Sequence, residues 1–233
     1  MLIGKIKVRK EIKMRENGKK LVKVGITSIV LFVIWTCLIQ LVDVQQIGPK
    51  GSKVGFASWN GWVFNLTGVH MEIYNITDWL SLIPIFVCLG FAGLGLWQFI
   101  KRKSLFRVDY DILLLGIYYI FVIMGYLMFE MIPINYRPVL IEGVLETSYP
   151  SSTTLLVLSV MPTLVFQVRR RVENVTVKTV MCLVTILFSA GMVIGRLISG
   201  VHWFTDIVGG IMLSTGLYSM YKASVYLCQK EEK

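Results

Sequence analysis

The chain has 233 residues, 55% of them hydrophobic and 16% charged, with a mean hydropathy of +0.67. That balance excludes an ordinary soluble domain, and the length leaves room for several membrane spans but little for a separate soluble module. The net charge of +10 does not point to nucleic acid, because Lys and Arg sit in short segments between apolar runs, as membrane topology requires.

Residues 1–23 form a basic segment with Lys5, Lys7, Arg9, Lys10, Lys13, Arg15, Lys19, Lys20 and Lys23. The apolar run that follows, about 24–43, is as long as a span and lacks the small-residue cleavage site of a signal peptide. It is expected to be a retained first helix. Residues 44–78 then read as an outer loop with Trp59, Trp62 and Tyr74 as interface anchors. Further spans are expected at about 79–100, 112–134, 152–168, 177–195 and 203–227. Their continuous hydrophobicity favours helices over barrel strands, which would alternate. The fold class is therefore all-α, a polytopic bundle of six transmembrane helices, with 24–233 as one membrane domain.

Six alternating spans put four basic segments on one side. They are the N-terminus, Lys101–Arg107, Arg169–Lys178, and the end with Lys222, Lys230 and Lys233. The positive-inside rule makes that side cytoplasmic, with both termini inside. A short, loop-poor chain of this kind fits a bacterial plasma membrane. Cys37, Cys88, Cys182 and Cys228 fall within or beside apolar runs and lack the spacing of a zinc site or a disulfide framework.

The opposite side holds the chemistry. Arg137 follows the third span, Arg196 follows the fifth, and His202 and Asp206 open the sixth. If a helix begins near His202, these two are i and i+4 on one face. The carboxylate would then accept from one imidazole nitrogen and leave the other as a nucleophile or base. Two guanidinium forks and a helix N-terminus suit an anion with several oxygens. Taken singly, such an Arg is usually an anchor and such a His an interface residue. An Asp inside a span is less easily dismissed, and the four together on one side describe a phosphate site at the membrane surface.

Three stretches carry a family resemblance. "GRLISGVHWFTD" has Arg196, His202 and Asp206 at the spacing S-R-x5-H-x3-D, with Gly195 for the serine. "EMIPINYRP" supplies Arg137 and Pro138 of K-x6-R-P, with Glu130 where the lysine belongs. "PSST" supplies Pro150 and Ser151 of P-S-G-H, with Ser152 for glycine and Thr153 for histidine. In these motifs and their order the chain resembles the type 2 phosphatidic acid phosphatase superfamily, whose membrane members are six-helix lipid phosphatases.

The resemblance implies that His202 attacks phosphorus to form a phosphohistidine and that Asp206 orients and charge-balances it. Arg137, Arg196 and Ser151 would bind the phosphoryl oxygens. The partner would be a phosphorylated lipid among membrane lipids, with no metal and no other cofactor required. The family's general acid is the histidine that Thr153 replaces, and a hydroxyl is far too weak an acid to protonate an alkoxide near neutral pH. A diphosphate, with its better leaving group, would suffer less. His70, in the first outer loop and so on the same side as His202, or Glu130 is the candidate substitute for the missing acid, the alternative for His70 being an interface residue. The competing readings are a phosphotransferase or a non-catalytic member that binds a phosphorylated lipid, and, less favoured, a transporter.

Overall fold

The computed structural model describes residues 2–228, and the side chains of residues 12–228. Lys230 and Lys233, and the side chains of Lys5, Lys7, Arg9 and Lys10, lie outside the described residues. Eight helices follow one another: α1 (Leu2–Leu41), α2 (Ala57–Thr67), α3 (Met71–Leu80), α4 (Leu82–Arg102), α5 (Tyr110–Met131), α6 (Ser152–Arg171), α7 (Val175–Ile198) and α8 (Phe204–Leu227). The expected outer loop is thus corrected: residues 44–78 contain two short helices, and α3 leads almost directly into α4 across Ser81.

Among the described residues, five segments are long and apolar enough to cross a membrane: Ile12–Leu41, Met71–Arg102, Tyr110–Met131, Ser152–Arg171 and Val175–Ile198. α8 matches their length with 24 residues, but its glycines, serines and tyrosines make it less apolar. The physical reason is its place at the centre, where it packs along α1 and against α5 and α6 and buries residues on every face. Lipid-facing helices show the opposite, with Phe86, Leu89 and Leu187 all more than half exposed, as a chain bathed in hydrocarbon requires. The molecule is an all-helical, multi-pass membrane protein.

Small residues set the close crossings. A Cβ at Gly25 of α1 would lie 3.2 Å from the Gly216 carbonyl oxygen of α8, so two backbones meet there. At the start of α8, a Cβ on Gly209 would lie 2.5 Å from the Tyr149 ring, and one on Gly210 would lie 3.0 Å from Thr154. Those two glycines let the chain before α6 press against the first turns of α8, which brings two of the three motifs together.

The two ends of the bundle differ. At the end where α5 begins and α6 finishes, Asp111 is buried and pairs with Arg171 at 2.8 Å and Arg170 at 3.4 Å. Asp109 pairs with Arg102 at 2.8 Å and Arg171 at 2.9 Å. This clamp ties α4, α5 and α6. At the other end α2 and α3 cover the connection between α7 and α8. Asn60 of α2 donates to Thr205 Oγ1 (3.0 Å) and accepts the Thr205 N–H (3.2 Å).

Candidate active site

His202 lies in the connection between α7 and α8, just before the helix rather than in it. The chain turns there at Gly200, whose φ of +68° favours glycine. A Cβ at that residue would also collide with the Gly68 carbonyl oxygen. His202 is 4% exposed. Its Nδ1 lies 3.1 Å from the Ser148 carbonyl oxygen, which can only accept, so Nδ1 carries the proton. Its Nε2 is therefore the free lone pair, and Arg137 Nη1 donates to it at 3.2 Å. Burial, then the charges of Arg137 and Arg196, hold the imidazole well below its usual pKa. The ring is neutral at physiological pH, the state a nucleophile needs.

The expectation for Asp206 is corrected. Because α8 starts at Phe204, His202 and Asp206 do not share a helical face, and Asp206 Oδ2 stands 3.8 Å from Nδ1. Its oxygens are taken by the Trp203 N–H (2.9 Å) and Asn135 Nδ2 (3.1 Å). Asp206 caps the first turn of α8 and sits close enough to offset charge on the ring. The hydrogen bond that fixes the tautomer comes from Ser148 instead.

Arg137 is carried by a short hairpin-like loop in which Tyr136 and Thr147 bridge. Trp203 Nε1 donates to the Tyr136 carbonyl at 2.8 Å and pins that loop to α8. Arg137 Nε pairs with Glu146 Oε2 at 2.9 Å, and among the described residues its Nη2 has no hydrogen-bond partner. Arg137, His202, Glu130, Glu146, Ser148, Ser152, Tyr126, Phe129, Tyr149 and Leu155 line a cavity of about 260 Å³.

The remaining predicted residues fall elsewhere. Arg196 is in the last turn of α7, 2% exposed, and does not line the cavity. Its Nη2 pairs with Asp78 of α3 at 3.2 Å and its Nη1 with Thr77 Oγ1 at 3.3 Å, while its guanidinium stacks 4.8 Å over the Tyr74 ring. Arg137 lies 5.9 Å over the same ring, so Tyr74 joins the two arginines. Ser151 is fully buried as the N-cap of α6, its Oγ accepting the Thr154 N–H at 3.4 Å and its own N–H donating to the Asp206 carbonyl at 3.1 Å. Thr153 is buried and outside the lining, whereas Ser152 is part of it. His70 lies between α2 and α3, its backbone N–H donating to the Ser199 carbonyl at 3.0 Å, but its side chain is exposed, 2.9 Å from the Thr67 carbonyl oxygen, and does not line the cavity.

Glu146, Ser148, Asn135 and Asp78 are the residues that sequence reasoning missed, and Tyr74, expected as an interface anchor, lies instead under both arginines. Ser148 acts through its carbonyl, which no side-chain motif marks. Among the described residues no three His, Cys, Asp or Glu side chains are grouped to hold a metal ion.

The model of the PAP2 superfamily matches residues 128–227. No curated protein matches the sequence. Among solved structures, the chain is similar to the first transmembrane PAP2 type phosphatidylglycerolphosphate phosphatase from Bacillus subtilis, with a TM-score of 0.62 and 15% identity. The likeness covers 89% of this chain and 98% of that one, and shows a shared fold. The match to the PAP2 superfamily model takes in His202, Asp206, Arg137 and Arg196.

Proposed function

We propose that this protein is a membrane lipid phosphatase that hydrolyses a lipid phosphate or diphosphate through a phosphohistidine on His202, with the site on the outer face of a bacterial plasma membrane and both termini cytoplasmic. The observation that carries this reading is the neutral, buried imidazole whose Nε2 meets an arginine at the wall of a cavity of about 260 Å³. Nε2 would attack phosphorus as the lipid oxygen departs, and water would then release phosphate. Arg137 would hold the phosphoryl oxygens and stabilise charge as it develops, and Asp206 would offset the charge of the phosphorylated ring. The substrate class includes phosphatidylglycerol phosphate, on which the Bacillus neighbour is named as acting, polyprenyl diphosphates and phosphatidic acid.

A non-catalytic or phosphotransferase role is the second reading. It is favoured by Thr153 in place of the family's acid histidine, and by Arg196 being turned toward Asp78 rather than into the cavity. Phosphate release by the purified protein in detergent, beside His202→Ala, separates the two. Release that disappears in the variant supports the phosphatase. Lipid binding without release in either protein supports the second reading.

A further inference from the structure

The proposed reaction lacks an acid. Thr153 is buried away from the cavity and His70 does not reach it. The carboxyl groups that line it are Glu130 and Glu146. Glu130 is exposed and has no side-chain partner among the described residues. Glu146 is different: its Oε2 holds Arg137 Nε at 2.9 Å, and Nη1 of that same guanidinium holds His202 Nε2 at 3.2 Å. One rigid planar group thus spans the nucleophile and the carboxylate. A phosphoryl group bound to Arg137 in this cavity would therefore have both Nε2 and the Glu146 carboxylate as neighbours.

We infer that Glu146 is the proton carrier of the reaction, in place of the family's histidine. This rests on the phosphatase reading above. The arriving phosphoryl group competes with the Glu146 carboxylate for Arg137, and a substrate monoanion brings the proton. In the first step the N–P bond forms, the P–O bond to the lipid breaks, and the Glu146 proton goes to the departing oxygen. In the second, water bonds to phosphorus as the N–P bond breaks, and both of its protons leave with the phosphate. The products are the lipid alcohol and dihydrogen phosphate, and Glu146 is again the carboxylate that pairs with Arg137.

The test compares phosphatidic acid, whose leaving group is an alkoxide, with a polyprenyl diphosphate, whose leaving group is a phosphate. Glu146→Gln should lower kcat on phosphatidic acid by about 10²–10⁴-fold and on the diphosphate by less than about tenfold, because only the alkoxide needs a proton as it leaves. KM should stay level or fall, since a competitor for Arg137 has gone. Glu146→Asp should recover part of the lost rate. Retained diphosphate turnover also shows that the variant is folded. Equal loss on both substrates would make Glu146 a structural partner of Arg137 and overturn the inference, as would a selective loss in Glu130→Gln instead. No His202-dependent release from either substrate in the unaltered protein would remove the phosphatase reading itself, and the carrier role with it.

Discussion

The two ends of the bundle use the same groups for opposite purposes. At the basic end, Asp109 and Asp111 meet Arg102, Arg170 and Arg171, and Asp111 receives Arg171 on both carboxylate oxygens. The charges there are spent on one another. At the other end, Arg137 gives Nε to Glu146 and Nη1 to His202 yet, among the described residues, keeps Nη2 without a protein partner. A clamp saturates its charges, whereas a site leaves some for a ligand. The difference can be read in how many donors remain, not in how many arginines there are.

The comparison breaks most sharply at Arg137. Arg137→Ala should lower kcat/KM by about 10²–10³-fold, the usual loss of a donor aimed at developing charge, with little change in unfolding. Asp111→Asn should do the reverse. Stripping the buried partner from two arginines should cost about 2–4 kcal/mol, below the full range for a buried pair because Arg171 is one-third exposed. Denaturant unfolding in detergent would measure it, and activity per folded molecule should hold.

Much of this contrast is legible in the sequence, but unevenly. Continuous apolar runs and clustered Lys and Arg are strong signals, so the long helices and the basic end follow from them. The spacing of His202 and Asp206 brings the two within 3.8 Å, whereas Arg196 turns to Asp78 and away from the cavity. What is lost is whatever depends on contacts between distant segments. Arg196 and Asp78 are 118 positions apart, and α3, which carries Asp78 and Tyr74, is too short and mixed in composition to announce itself. The tautomer of His202 is set by a backbone carbonyl, and every residue has one. Glu146 looks like any loop glutamate until the hairpin at Tyr136 and Thr147 folds it back on Arg137.

Acid pH sharpens the comparison further. The folded-state pKa of His202 lies below its ordinary value of 6.5, so the imidazole stays a free nucleophile as pH falls through that value. The acid limb of kcat/KM that His202 sets should therefore lie below pH 6.5, and Arg137→Gln, by removing a repelling charge, should raise it. Stability runs the same way. Below about pH 6.5 the unfolded chain takes up a proton that the folded chain refuses, so the folded state loses stability until its own lower pKa is reached. Imidazole NMR in detergent resolves this, since the chain holds only two histidines. The smallest effect is expected at His70: His70→Gln should leave both the rate and its pH profile unchanged, and a shifted profile would bring that side chain back into the reaction.

The central claim is that His202 carries phosphorus. The most direct measurement is rapid quenching of the protein during turnover of a lipid diphosphate, followed by alkaline digestion and mass spectrometry of the peptide around residue 202. The account predicts an acid-labile phosphoryl group on His202 that is absent from His202→Ala. Phosphate release at full rate with no such adduct, or with the adduct on another residue, would contradict it.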